Sequence, residues 1–427
     1  MPLPFAPPPG VRFTCTRCGD CCRSWNVMLG PGEEERLAAL DWEGREADLV
    51  GATTAVTSAL PGGPRVRRLA RHDDGACVYL GADNRCRIHV HFGGESKPLM
   101  CRLYPFGFYP LAGRLAVDCS FSCRSIGEGS GAGLDAQIPE WRALLAGGEP
   151  REELHHLTRG RALSGELLWE IEHLLVGLLV DRGLPLYDRI RCCLELVRLG
   201  TSGDPSTPSA AALRAALARG LPRQIGAIAH GGAMDRTQRA VFYQWLFLAL
   251  NPVPAGFDLL APTARQREER RRLGAAERFV RQEGAPWVDG HELPVDCAAV
   301  LAIDASLLAA AECPVMERYL VAKIVGQRFL LAGAVELALA EAVPLFFLVL
   351  PMAIWTARAL AAARGAVAVA EADLRGALAR LDRTLGQVPL AAVPPKVAKA
   401  WRFIIEETGL AVAATDDLLG IPAPVET

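Results

Sequence analysis

Residues 15–22 read CTRCGDCC and place Cys15, Cys18, Cys21 and Cys22 in a C-x2-C-x2-C-C run. A C-x2-C pair brings two sulfurs to one ion or one cluster edge, and the N–H groups of its turn can point at sulfur. Gly19 opens backbone conformations that such a turn often requires. Three cysteines at x2 spacing follow the ferredoxin run that holds three irons of a [4Fe–4S] cluster. Cys22 is expected to point away from its neighbour, toward a second site or into the place of a missing ligand. Further along the chain stand Cys77 in GACVYL, Cys86 in NRCRIH, Cys101 in PLMCRLYP, and Cys119 and Cys123 in DCSFSC. A tetrahedral ion or a cubane takes four ligands. Nine thiols therefore suit two metal sites, or one site with spare thiols. His89 and His91 are alternative ligands, but a loop histidine near cysteines is expected to be a hydrogen-bonding or surface residue.

Charge around these cysteines favours ligation. A tetrathiolate zinc site or an oxidised [4Fe–4S] site carries about two negative charges, which need compensation when buried. Of sixteen non-cysteine positions flanking the nine cysteines, six are arginine: Arg17, Arg23, Arg85, Arg87, Arg102 and Arg124. The chain-wide frequency would supply about 1.6. Positive neighbours favour the thiolate. The other four of the thirteen cysteines are Cys192, Cys193, Cys297 and Cys313. The total is odd, so internal disulfides cannot use them all. The opening MPLPFAPPPGVRF has no basic start and no apolar run, so a secretory signal is not expected and a cytoplasmic, reducing setting is. Clustered cysteines in that setting are metal ligands more often than disulfides.

The chain has 427 residues, a formal net charge of -2, 51% hydrophobic and 22% charged residues. Those proportions fit a globular protein and exclude a disordered or collagen-like one. The near-neutral balance argues against a dedicated nucleic-acid binder, which needs a basic excess. Only Lys97, Lys323, Lys396 and Lys399 are lysine. The longest strongly apolar stretch, 342–357, is 16 residues long and contains Pro344 and Pro351. It falls short of the ~20 residues that cross a bilayer, so a buried helix with a break is expected and a membrane span is not.

The expected fold is mainly α: an irregular, Cys-rich metal-binding N-terminal domain followed by an all-α helical domain. Residues 1–10 form a Pro-rich lead-in, 11–125 the Cys-rich domain, 126–138 a Gly/Ser linker, and 139–427 the helical domain. Within 11–125 the spacing predicts one short helix over about 31–49. Beyond the linker, helices are expected at 152–182, 236–250, 264–282, 297–311, 315–341, 345–364, 367–384 and 395–408, with a loop at 201–209. Cys192 and Cys193 lie on an amphipathic helix and suit core packing. His155, His156 and His173 suit surface or capping roles.

The run CTRCGDCC followed by GACVYL, NRCRIH and CRLYP resembles the CxxCxxCC (YkgJ-like) family of zinc- or iron-chelating proteins. It is similar in style to the flagellin lysine N-methylase branch, on Phe13 before the run, Trp25 in RSWNVML, and FGGESKPLMCRLYP at 92–105. The phrase VMERYLVAKIVGQRFL in the helical region is similar to that branch as well. The resemblance implies metal ligation by Cys15, Cys18, Cys21, Cys22, Cys77, Cys86, Cys101, Cys119 and Cys123. The cofactor it implies is an iron–sulfur cluster, [4Fe–4S], or zinc. In the methylase branch it also implies S-adenosylmethionine and a protein substrate with exposed lysines. Phe106 after Tyr-Pro departs from the basic residue expected in many methylases.

Other motifs are weak. Gly127, Gly129, Gly131 and Gly133 alternate, but they follow a Cys loop instead of a strand, so a nucleotide-binding loop is not expected. A radical C-x3-C-x2-C run is absent, because Ile126 stands at the third position after Cys119 and Cys123. The arginines of 265–272 alternate with Glu268 and Glu269, as on a solvated helix face. No catalytic residues are assigned. Two readings stand: a metal-dependent protein-lysine methyltransferase, or a non-catalytic metal-binding or redox module whose helical part binds a partner.

Overall fold

Apolar residues between Val27 and Cys101 are too sparse for long helices, and there the chain builds a small core from a hairpin, short helices and stacked rings. The computed structural model describes residues 3–59, 65–111, 113–146, 156–158, 161–162, 164–201, 215, 233–251, 261–283, 295–309, 312–327, 338–385 and 409–421. Strands Ala55–Ala59 and Arg65–Leu69 pair antiparallel, Ala55 opposite Leu69. Residues 27–29 extend this sheet, with Leu69 N donating to Val27 O (2.9 Å) and Leu29 N to Arg67 O (2.9 Å). Trp42 stacks on Tyr79 (5.6 Å between centroids) and meets the ring of Phe92 edge-on (4.8 Å). These residues join Val27, Leu37, Leu49 and Ile88 in the smaller of two hydrophobic clusters.

The helix expected over 31–49 is shorter than its pattern suggests. It runs Glu33–Ala38, and a 3-10 turn at Ala47–Leu49 follows. Gly44, at φ 69°, bends the chain between them, which lets Trp42 turn inward instead of riding on a helix face.

The larger cluster contains more than helices. Strands Phe106–Leu111 and Arg114–Cys119 form an antiparallel hairpin, and Phe5–Ala6 adds in parallel along the second strand. Every residue of Arg114–Cys119 is buried. The Pro314–Gly326 helix lies against this strand, and its last residue is the contact point: a Cβ on Gly326 would stand 2.7 Å from Asp118 Cα. The buried apolar residues of 106–126 thus pack with the helices, although composition groups them with the cysteines. The stretch 126–138, expected as a linker, is structured. It contains the end of the Arg124–Glu128 helix, the strand Ala132–Gly133 paired with Arg12–Phe13, and a 3-10 turn with Leu134 buried.

Helix Val349–Ala363 is the centre of the larger core and packs against Cys297–Leu301, Glu371–Leu385 and Leu410–Leu419. Trp355 is fully buried there and meets Phe279 edge-on at 5.1 Å. Together with Leu339–Phe347 it makes a 25-residue stretch containing an 18-residue window of mean hydropathy 1.8, longer than the 16 residues counted from sequence and long enough to cross a bilayer. Most of it is buried inside the protein. The expected break falls at Leu348, because Pro351 has no N–H to give to the carbonyl of Phe347.

Helix Arg236–Leu250 occupies its predicted span, started by a capping box in which Asp235 accepts from Gln238 N and Gln238 reaches back. Other boundaries moved. The 152–182 helix begins only at Gly165, after Ser164 as N-cap and a short hairpin, His156–Thr158 with Arg161–Ala162. The 297–311 helix divides at Asp304, whose carboxylate accepts from Ser306 N (2.9 Å) and caps a second piece. The 315–341 helix stops at Gly326, where Gln327 turns left-handed. Cys192 and Cys193 are fully buried in Leu186–Thr201, as their amphipathic setting suggests. The loop residues 202–209 and the helix at 395–408 lie outside the described residues, as does His155.

Candidate metal centre

The cysteine run is shaped by Gly19, whose φ of 76° starts the short helix Asp20–Ser24 carrying Cys21 and Cys22. A Cβ at Gly19 would stand 2.7 Å from Arg23 Nη1 and 3.2 Å from Asn84 Cβ. The run therefore sits directly on the turn that presents Cys86. That turn is closed by Gly81 N to Arg85 O (2.8 Å) and by Arg85 N to Asp83 Oδ1 (3.0 Å), with Asn84 left-handed. Cys77 is tied in by its own N–H, which donates to Cys22 O at 2.8 Å. Gly19→Ala is expected to destabilise the smaller core by about 1–2 kcal/mol, because an L-residue is strained at this φ and the methyl meets Arg23 and Asn84. Denaturant unfolding followed by Trp25 and Trp42 fluorescence reads this loss.

Glu33, which sequence alone did not single out, and Arg87, counted there as a flanking cation, position the remaining loops. Glu33, buried, accepts from Leu99 N at 2.7 Å and Gly30 N at 2.8 Å, which fixes the start of the Leu99–Leu103 helix that carries Cys101. Arg87 pairs with Asp48 (2.7 Å) and donates to Val78 O (2.6 Å), bracing the chain between Cys77 and Cys86. The bond from Glu33 to Leu99 spans 66 residues, beyond the reach of a local pattern.

Four thiols from separate segments then lie close enough to feel one another's charge. Burial pushes Cys101 far above the ordinary thiol range; Lys97 opposes the shift, and charge on Cys77, Cys86 or Cys21 would add to it. Cys77 is pushed up to about 11, again by burial, with the Tyr79 N–H and Arg71 opposing and Cys86 and Cys21 adding. Cys21 is raised strongly, first by its hydrogen bond with Cys22, then by burial. The Cys22 thiol is thus close enough to act on Cys21. Among the described residues no three His, Cys, Asp or Glu side chains stand at metal-ligand geometry.

A second gathering lies where the two cores meet. Cys123 is pushed up to about 12 by burial, while the N–H groups of Ile126 and Ser125 favour its thiolate and Cys21 and Cys18 act against it. The segments bearing Cys18 and Cys123 are bound together: Arg124 pairs with Asp20 (2.9 Å), and Thr14 N donates to Ser125 Oγ (3.1 Å). Cys119 is fully buried in the larger core, and Cys15 is exposed. His91 bonds Glu46 (2.9 Å) beside Trp42, the expected non-ligand role. His89 has its imidazole held below the usual range by burial and by Lys97 and Arg17. His173 is exposed and lies against Trp169 O (3.2 Å).

The cations facing these thiols are mostly not the flanking arginines. Arg85, Arg87 and Arg124 pair with carboxylates. Arg71 instead reaches into the protein and donates to the carbonyls of Arg23 (3.0 Å), Gly75 and Trp25. Among the described residues no carboxylate pairs with it. Burial lowers its hold on the proton, and the thiolates of Cys77 and Cys22 are the anionic groups that would restore it. Lys97 plays the same part for Cys101 and Cys21. The donor set has the chemistry of a thiolate-held centre, four sulfurs whose charges act on one another and on two cations, although among the described residues no three of them stand at ligand geometry.

Residues 14–120 match the CxxCxxCC family. That family is described as "Putative zinc- or iron-chelating domain". The CxxCxxCC match takes in eight of the nine cysteines and stops short of Cys123. Over 99 residues the chain is 32% identical to the uncharacterized protein MJ0939 of Methanocaldococcus jannaschii, a stretch covering 23% of this chain and 30% of that one. The chain thus spans less than a third of that relative's length. No solved structure matches.

Proposed function

We propose that the CxxCxxCC domain holds an iron–sulfur cluster or a zinc ion through Cys21, Cys77, Cys86 and Cys101, with Cys22 beside them. Cys18 and Cys123, with Cys119 nearby, form the second gathering, and Cys15 is left exposed as a further donor. The observation that carries this reading is Arg71. A half-buried guanidinium that meets carbonyls and, among the described residues, no carboxylate is favoured by an anion near it, and the thiolates of Cys77 and Cys22 are the acids that act on it. With Lys97 it would offset about the two negative charges of a tetrathiolate zinc site or an oxidised cubane. Bound zinc would cross-link the loops; a cluster would add one-electron chemistry. A reducing, cytoplasmic setting belongs with this reading, since free thiols are its ligands.

Anaerobic purification followed by metal and acid-labile sulfide analysis tests it. At least one zinc, or one iron–sulfur cluster, per chain is expected, and the Cys21→Ser/Cys101→Ser double variant is expected to lose it. Metal-free protein with the same fold as that variant would refute it. Methyl transfer to protein lysines, with S-adenosylmethionine as donor, is the finer part of the resemblance and has no independent support in the site. Calorimetric titration of the loaded protein with S-adenosylmethionine separates an enzyme from a binding module whose helical part engages a partner.

A further inference from the structure

We infer that Lys323 and Asp382 are positioning residues for Cys123: a buried ion cluster fastens the loop 119–123 to the helical core, so metal binding through Cys123 is linked to the packing of that core. The inference rests on the metal reading above and concerns residues far in sequence from every cysteine of the run.

Lys323 is 5% exposed and sits near the end of the Pro314–Gly326 helix. Its Nζ lies 3.0 Å from Asp118 Oδ1, 2.7 Å from Asp382 Oδ1, and 2.8 Å from the carbonyl of Cys119. Asp382, from the Glu371–Leu385 helix, spends its other oxygen on the loop, accepting from Phe121 N (2.7 Å) and Ser120 Oγ (3.0 Å). Tyr319 OH adds a longer bond to Asp382 (3.4 Å), and its ring meets Phe121 edge-on (4.9 Å). Four consecutive residues, Asp118 to Phe121, are thus held by two helices of the larger core. Cys123 follows at once, its N–H donating to Ser120 O at 3.2 Å.

Burying an ammonium and two carboxylates costs more than burying apolar groups of the same size, so stability alone does not call for them. What the cluster adds is direction, because charged hydrogen bonds hold their partners at set distances and angles where apolar contacts slide. The loop also continues toward the smaller core: Ser122 bonds Tyr104 OH (3.1 Å), and Tyr104 packs on Trp25 at 4.8 Å, three residues after Cys22. The cysteine facing Cys18 and Cys21 is therefore set from the helical side, beyond the last residue that the family match covers.

Linkage is reciprocal: if the core positions the ligand, the bound metal must steady the core. The test uses the full chain, stripped of metal under reducing anaerobic conditions and then given zinc alone. Amide hydrogen exchange is followed in 314–326 and 371–385. In the wild type, zinc is expected to slow exchange in both helices by about tenfold. Cys123→Ser, which leaves Lys323, Asp118 and Asp382 in place, is expected to bring the effect below about twofold while zinc still binds the other thiols. Asp382→Asn keeps an acceptor for Phe121 N–H, removes the charge, and is expected to do the same. If Asp382→Asn fails to fold, the Cys123→Ser arm decides alone. Wild-type protein that binds zinc with no change in these helices overturns the inference and leaves the metal reading standing, as does a Cys123→Ser protein that responds like wild type. A wild type that takes up neither zinc nor iron overturns both.

Discussion

Removal of the metal from native protein is expected to unfold residues 27–103 while the strands at 106–119 and the helices keep their structure. The smaller core is a hairpin, a few short helices and a handful of rings, and a domain of this size has little apolar surface to bury. A structural metal contributes on the order of 10 kcal/mol, comparable with the whole stability of a domain. Once it is gone, the buried thiols and Arg71 are left without the charge that balances them. The boundary follows from packing and not from composition: Phe108, Leu111, Leu115 and Val117 belong to the larger core and stay with it. Hydrogen exchange with and without chelator reads the outcome by segment. Trp25 and Trp42 should become exposed to water while Trp141 and Trp355 do not, so the fluorescence shift is partial. Loss of protection in 106–119 to the same degree as in 27–103 would show that the two cores fold as one unit. Acid should act in the chelator's direction, since thiols whose proton affinity burial has raised release metal as pH falls.

The cysteine run announced the chemistry, because C-x2-C spacing is a local geometry and leaves its mark in eight residues. Long helices with capping signals, such as Arg236–Leu250 after Asp235, were legible for the same reason. What lay beyond reach was non-local. The strands Phe106–Leu111 and Arg114–Cys119 have no clean alternation of apolar and polar residues because the second is buried on both faces, under Pro314–Gly326 and beside Phe5–Ala6. The glycines at 127–133 look like a linker, yet Gly129 and Gly131 lie at positive φ where the chain doubles back past Arg318 and Thr14. Counting arginines next to cysteines pointed to positive charge in the right region and, in Arg124, to a side chain on which the charge of Cys18 acts, but it missed two other cations. Arg71 and Lys97 face the thiols from positions six and four residues away from the nearest cysteine, and only the fold brings them there.

Asp382→Ala is expected to cost the larger core about 3–5 kcal/mol, the range for removing one partner of a buried ion pair. The carboxylate carries two burdens. It balances Lys323 together with Asp118, and it satisfies the backbone N–H of Phe121, which would lose that acceptor. Asp382→Asn separates the two, since the amide oxygen still accepts from Phe121 while the charge is gone, so its cost should be the smaller. Urea unfolding followed by far-ultraviolet circular dichroism of metal-loaded protein measures both, and the helical content assigns the transition to the larger core. A loss under about 1 kcal/mol for the alanine variant would mean that water reaches the cluster and screens it as at an exposed pair. In that event Lys323 could not fix the direction of the loop, and the link between Cys123 and the helices would lose its physical basis together with its energetic one.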